Sequence, residues 1–209
     1  SKINVAKQAI DYIKDKIHPE MILGIGTGST VNFFIEELGA YKNLFAGAVS
    51  SSEASSNLLN EKGIEVFNLN DVMDIAYYID GADEVSANYE LIKGGGGAHT
   101  REKIVASASN EFVCIVDETK LVSQLGAFPL PVEVLPESRS LVARKIVSMG
   151  GTPIYRNGFI TDQGNEILDV KDLDISNPES IEALLNNIPG VVDNGIFAFN
   201  KPKKVLVSS

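Results

Sequence analysis

Between Met21 and Val116 the chain repeats one pattern: a short, nearly unbroken apolar run, a turn, then apolar positions at three- and four-residue steps. Met21-Ile22-Leu23-Gly24-Ile25, Leu44 to Val49, Ile64 to Phe67, Ile75 to Ile79 and Glu111-Phe112-Val113-Cys114-Ile115-Val116 read as strands. Helical stripes precede and separate them: Ile3, Ala6, Ile10, Ile13 and Ile17; Val31 to Leu38, closed by Gly39; Glu53 to Lys62, stopped by Gly63; and Ala98 to about Ser109. Strands that are apolar along their length are buried on both faces, and alternation with helices makes their sheet parallel and covered on both sides. In such sheets ligands bind outside the carboxyl ends of the strands.

From Phe128-Pro129-Leu130-Pro131 onward the texture changes. Strands are expected at Val132 to Leu135, Thr152 to Arg156, Phe159 to Thr161, Glu166 to Val170 and Gly195 to Phe199. A helix is expected over Ser138 to Met149, and another after Asn177-Pro178-Glu179-Ser180, where proline suits the first helical position. Asn157-Gly158 signals an antiparallel hairpin. The last strand, Lys204 to Val207, is expected to return to the main sheet. The chain is therefore expected to be α/β: a Rossmann-like parallel-sheet domain over residues 1–127 and 200–209, with a second, smaller α+β domain over 128–199.

A formal charge of -10 argues against nucleic acid, which calls for a basic face to displace phosphate counterions. No apolar run approaches the length of a membrane span, and Ser1 to Lys7 lack the apolar core of a signal peptide, so the cytoplasm is the expected compartment. Cys114 is the single cysteine and sits in an apolar strand, which reads as an inert core thiol. With His18 and His99 the only histidines, no histidine-rich metal site is expected.

Two stretches carry chemistry. Gly24-Ile25-Gly26-Thr27-Gly28-Ser29-Thr30 joins a strand to a helix, presenting backbone N–H groups at the positive end of a helix dipole. A dinucleotide fingerprint would have a third glycine at Ser29 and an acid after the second strand, where Ser50-Ser51-Ser52 stand instead. A P-loop lysine is missing too. What remains is a phosphate cradle with hydroxyls at Thr27, Ser29 and Thr30, although alone the motif reads equally as a tight turn that binds nothing.

The second stretch is Lys93-Gly94-Gly95-Gly96-Gly97-Ala98-His99-Thr100-Arg101-Glu102-Lys103, with Asp80-Gly81-Ala82-Asp83-Glu84 before it. Four glycines make a poor helix and a poor strand, but they let backbone approach a ligand closely. Cation, glycine loop and carboxylate form the layout of a site that binds an anion and moves a proton. Each residue has a plainer reading on its own. Glu102 could merely stabilise its helix, Lys93 and Lys120 could be solvated, and Asp80 and Asp83 could form an Asp-Gly turn. Holding sugar hydroxyls or a metal are the other readings for the two aspartates, the metal being disfavoured for want of a nearby histidine. Glu84 reads as structural.

In this order, Gly24 to Thr30, Ser51-Ser52-Glu53-Ala54-Ser55, Asp80 to Glu84, Lys93 to Gly96 with Thr100-Arg101-Glu102-Lys103, and Lys120 resemble the A-type ribose-5-phosphate isomerase family. The resemblance continues through Thr161-Asp162-Gln163-Gly164-Asn165 and Ile188-Pro189-Gly190-Val191-Val192. It implies interconversion of D-ribose 5-phosphate and D-ribulose 5-phosphate in the non-oxidative pentose phosphate pathway, through a cis-enediolate and without metal or organic cofactor. It also implies a phosphorylated pentose as the small-molecule partner and a homodimer or homotetramer. Glu102 matches the family's proton acceptor, with Asp80, Asp83 and Lys93 as further catalytic positions. Substrate-binding positions match Thr27, Gly28, Ser29, Thr30, Asp80, Gly81, Ala82, Asp83, Lys93, Gly94, Gly95, Gly96 and Lys120, with Lys7 a further phosphate ligand. Gly97 and His99 depart from the family, which often carries alanine and a hydrophobic residue there; His99 receives no chemical role.

Four rival readings stand beside this one. A non-catalytic sugar-phosphate sensor would not need both Glu102 and Lys93. An amino-sugar phosphate deaminase would be expected to carry a catalytic histidine system, and an acyl-CoA transferase a nucleophilic glutamate. A dinucleotide oxidoreductase is weakened by Ser29 and the missing acid.

Overall fold

Twelve strands and six α-helices, labelled β1–β12 and α1–α6 along the chain, make up the computed structural model, which describes residues 1–209. They fall into two units: Ser1–Gly81 with Arg101–Thr119 and Pro202–Ser209, and Ala82–Thr100 with Lys120–Lys201. The second unit is wider than 128–199 and includes 82–100, because short strands in that segment pair with a strand near residue 196.

In the first unit β1 (Ile22–Ile25), β2 (Gly47–Ser50), β3 (Ile75–Asp80), β6 (Ser109–Asp117) and β12 (Lys204–Ser208) form one sheet in the order β12-β6-β3-β1-β2. Every pairing is parallel, and the last strand does return to lie beside β6. Val5, Ala6, Ala9, Ile10 and Ile13 of α1 (Lys2–Ile13) and Val31, Phe34, Ile35 and Leu38 of α2 (Ser29–Leu38) share one core with Leu23, Ile25, Ile79, Val113 and Ile115. Each large aliphatic side chain removed from water there contributes about 1.5–3 kcal/mol. α3 (Glu53–Glu61) is capped by Ser52, whose hydroxyl accepts from the Ser55 N–H. Cys114 is fully buried in β6, as an inert thiol should be.

Three expectations for this unit are corrected. Ile64 to Phe67 form no strand, only a bridge between Val66 and Ala48, because the chain turns away at once into the 3-10 turn Leu69–Asp71. α1 ends at Ile13 rather than Ile17, and Lys14–Lys16 tighten into a 3-10 turn. β2 starts at Gly47 rather than Leu44, since Leu44 N–H is held by Tyr41 in a turn.

In the second unit β4 (Glu84–Val85), β5 (Leu91–Ile92) and β11 (Ile196–Phe197) form an antiparallel sheet ordered β11-β5-β4. A second antiparallel sheet, ordered β10-β7-β9-β8, contains β7 (Leu130–Val134), β8 (Thr152–Tyr155), β9 (Glu166–Lys171) and β10 (Val191–Asn194). α5 (Arg139–Ser148) and α6 (Pro178–Asn186) add Val142, Ile146 and Leu185 to a core with Leu130, Val132, Val134, Leu168 and Val170. Pro178 occupies the first turn of α6, with Asn177 as its cap.

The hairpin announced by Asn157-Gly158 exists as β8–β9, but Phe159 to Thr161 are not a strand. Thr161 uses its N–H on Asn165 O and its carbonyl on Gly164 N–H, both within the local turn, so it has nothing to offer a ladder. The strand expected over 195–199 is shorter, β11 alone, and a strand not expected, β10, precedes it, parted from it by Gly195 alone. Gly195 donates to Pro131 O at 2.8 Å and accepts from Lys93 N at 2.8 Å, and a Cβ there would stand 2.2 Å from Lys93 O. α4 (His99–Ala108) has its first two residues in the second unit and the remainder in the first. No helix is long and apolar enough to cross a membrane.

Candidate active site

In the first unit Thr27 to Thr30 lie at the carboxyl end of β1 and Asp80 and Gly81 at that of β3, with the serines after β2 beside them. The turn after β1 is pinned from two sides: Gly26 N–H donates to Ile79 O at 2.9 Å, and Ser55 Oγ donates to Gly26 O at 2.6 Å. Thr27 Oγ1 lies 2.8 Å from both Ser51 Oγ and Ser52 Oγ, so the serines after β2 and the turn after β1 form one hydroxyl cluster. Gly28, at φ +116, takes a conformation that side chains rarely adopt and lets α2 begin at Ser29. The leading N–H groups of α2 thereby stand at the positive end of its dipole, beside the hydroxyls of Ser29 and Thr30.

Asp80, at the end of β3, is wholly buried. It accepts from Tyr78 OH at 2.5 Å, Gly81 N at 2.8 Å and Thr27 N at 3.2 Å. The approach is close enough that a Cβ on Gly26 would sit 2.1 Å from Asp80 Oδ1, so only glycine fits there. Tyr78 packs edge-on against Phe112, with ring centroids 5.1 Å apart. Burial pushes the Tyr78 hydroxyl well above its ordinary pKa, and the charges of Asp80 and Glu102 push the same way, so it is held as a proton donor.

Glu102 lies in the first turn of α4 and is only 4% exposed. A carboxylate in a helix's first turn is favoured by the dipole, yet this one is also almost dry. Its neighbour Arg101 reaches Glu53 Oε1 at 3.2 Å and Ser50 O at 3.4 Å. Lys7 is exposed on α1, and a different lysine touches the cradle: Lys2 Nζ donates to Ser29 Oγ at 2.6 Å.

The second unit holds the other predicted residues. Asp83 N–H donates to Ile92 O, and its carboxylate accepts from Gly95 N at 2.9 Å. Lys93 is 3% exposed, its ammonium 5.7 Å from the centroid of the Phe197 ring. Gly94 and Gly97 have φ of +103 and +76, and Gly97 N–H closes a turn onto Gly94 O. Under that turn a Cβ on Gly97 would meet the Phe159 ring at 2.3 Å. Gly95 and Gly96 are exposed at its tip. Lys120 is half-buried at the end of the turn Glu118–Lys120.

Two residues left without a chemical role behave as structural parts. Glu84, buried, accepts from Gly126 N and Phe128 N at 2.8 and 2.9 Å. His99 is fully buried, with Nε2 3.2 Å from Asp193 O. Sequence reasoning missed Tyr78, Lys2, Arg156 and Glu133. Tyr78 lies two residues before Asp80 on the same strand, so a period-two reading of β3 could have found it. The others carry no local signal. No group of three or more His, Cys, Asp or Glu side chains is placed to hold a metal ion.

The chain is similar to known proteins along its whole length. A family profile described as Ribose 5-phosphate isomerase A (phosphoriboisomerase A) matches residues 47–209. Ribose-5-phosphate isomerase A of Legionella pneumophila (strain Lens) is 57% identical over 208 residues, covering 100% of this chain and 94% of the relative. The crystal structure of ribose 5 phosphate isomerase A from Neisseria gonorrhoeae superposes with a TM-score of 0.94 at 48% identity, covering 100% of this chain and 94% of that one. A D-ribose-5-phosphate isomerase solved in complex with phospho-erythronic acid gives 0.92 at 37% identity, covering 99% and 93%. On sequence and fold together, the chain belongs to the ribose 5-phosphate isomerase A family, a family of isomerases.

Proposed function

We propose that this protein interconverts D-ribose 5-phosphate and D-ribulose 5-phosphate through a cis-enediolate, with Glu102 as the general base. The observation that carries the reading is the burial of the Glu102 carboxylate in the first turn of α4, in the same unit as Asp80 and the N-terminus of α2. Glu102 takes the proton from C2 of the open-chain aldose, leaving an enediolate, and returns it to C1 to give the ketose. Asp80 and Asp83 exchange the proton between O1 and O2. Lys93 and the Gly96 N–H of the glycine loop meet the negative oxygen, the Gly95 and Gly97 N–H groups being taken by Asp83 and Gly94 O, and one such donor is worth about 3 kcal/mol of barrier. The substrate phosphate is assigned to residues Thr27 to Thr30 and the start of α2, with Lys120 and Lys7 adding charge. Its binding energy serves to hold the reacting carbons against the base.

The relative that binds phospho-erythronic acid supports the enediolate, because a carboxylate and the adjacent carbinol present oxygens much as a planar enediolate does. Purified protein should form ketopentose phosphate from ribose 5-phosphate in a coupled assay, and should do so in EDTA. Glu102→Gln is expected to lower kcat by about 10² to 10⁴ while phospho-erythronate still binds. Retention of most activity by that variant would overturn the assignment of the base.

A further inference from the structure

Arg156 follows β8 in the second unit and is held on three sides. One edge of its guanidinium is bidentate to Asp169 on β9, Nε to Oδ2 at 2.9 Å and Nη2 to Oδ1 at 2.6 Å. Its face lies 5.1 Å from the Phe159 ring, the same ring that packs beneath Gly97. Two of its remaining donors go to backbone: Nη2 to Gly94 O at 3.1 Å and Nη1 to Gly95 O at 3.3 Å.

The consequence follows from peptide geometry. In a planar trans peptide the C=O and the next N–H point in opposite directions. Holding Gly94 O therefore turns Gly95 N–H away from the arginine, and it is this N–H that Asp83 accepts at 2.9 Å. Holding Gly95 O turns Gly96 N–H away from the arginine in the same manner. Gly96 is exposed, and a Cβ built on it meets nothing within 4 Å, so this residue is open to an approaching ligand. A run of four glycines has no side chains to fix its peptide planes, and leaving it unpinned would make each binding event order it anew.

We propose that Arg156, locked by Asp169, is a positioning residue that aims the Gly96 N–H at the negative oxygen of the enediolate. This rests on the isomerase reading above. A lysine cannot substitute, because the task uses both edges of a planar fork rather than a point charge.

The test compares Arg156→Ala, Arg156→Lys and a control, Arg139→Ala. Arg139 makes a similar ion pair in the same unit, with Glu166 at 3.0 Å, and stacks on Tyr155, neither of which belongs to the glycine loop. Steady-state kinetics with ribose 5-phosphate, thermal melting, and addition of methylguanidinium to the alanine variant are measured side by side. Arg156→Ala and Arg156→Lys are expected to lose about 10- to 100-fold in kcat with KM within about threefold, a fraction of the effect of deleting a donor outright. Methylguanidinium should restore at least about fivefold of that loss in Arg156→Ala, as it replaces the fork. Arg139→Ala should keep its kcat. An inactive wild-type protein would refute the isomerase reading itself. If the wild type is active and Arg156→Ala keeps its kcat, or Arg139→Ala falls equally, or methylguanidinium restores nothing, Arg156 has no positioning role.

Discussion

Tyr78 donates its hydroxyl hydrogen to Asp80 Oδ2 across 2.5 Å, and both side chains are wholly buried. Asp80 thus has one oxygen committed to a phenol that is held protonated and the other to two backbone N–H groups. Tyr78→Phe removes that commitment while keeping the ring against Phe112. The variant should fold, lose about 1–3 kcal/mol of stability with this buried hydrogen bond, and show a lower kcat as Asp80 loses its fixed orientation. Kinetics and urea unfolding of the two proteins check this. A kcat equal to wild type would mean that Asp80 needs no such anchor.

Glu133 is fully buried in the second unit and accepts from four side chains: Thr100 at 2.5 Å, Thr161 at 2.9 Å, Asn165 at 2.9 Å and Gln163 at 3.2 Å. Glu133→Ala strands these donors together, and those of the buried Thr100 and Thr161 are worth about 1–3 kcal/mol each when left unmade. The expected loss is roughly 3 kcal/mol or more in chemical denaturation. A loss under 1 kcal/mol would mean that water or a rearranged loop had taken over the donors.

Tyr12 supplies a pH-dependent test. Its hydroxyl donates to Glu111 Oε2 at 2.8 Å, and this bond, with smaller contributions from burial and charge, raises its pKa from 10.0 to about 12. A raised pKa means that the folded state holds the proton more tightly than the unfolded state. The stabilisation is therefore complete below pH 10 and is lost as pH rises through about 12. Wild type should be more stable than Tyr12→Phe at neutral pH, and the gap should close across that window. A gap that stays constant from pH 9 to 12 would contradict the bond.

Much of this molecule is legible from its residues, for local reasons. β1, β3 and β6 announce themselves because strands covered on both faces must be apolar throughout. The turn at Gly26 to Ser29 and the run Gly94 to Gly97 stand out because glycine is what close backbone approach selects. What escapes the sequence is whatever depends on distant partners. Arg156 meets Gly94 across 62 positions and Glu133 meets Thr100 across 33, and neither arginine nor glutamate has a pattern that says where it will be received. β4 and β5, two residues each, are too short to have a period at all. Ile64 to Phe67 failed in the opposite direction: the composition was that of a strand, but it makes one isolated bridge to Ala48 and no ladder.

Gly195 gives the second unit a mechanical character. Because this one residue separates β10 from β11 and bonds to Pro131 on one side and Lys93 on the other, the two antiparallel sheets are spliced with no slack between them. The backbone of Lys93 cannot slide along its strand without dragging the hairpin sheet with it. Chain length at that splice is therefore fixed: inserting a single residue between Asn194 and Ile196 would throw β11 out of phase with β5, turning Ile196 and Phe197 to the wrong face.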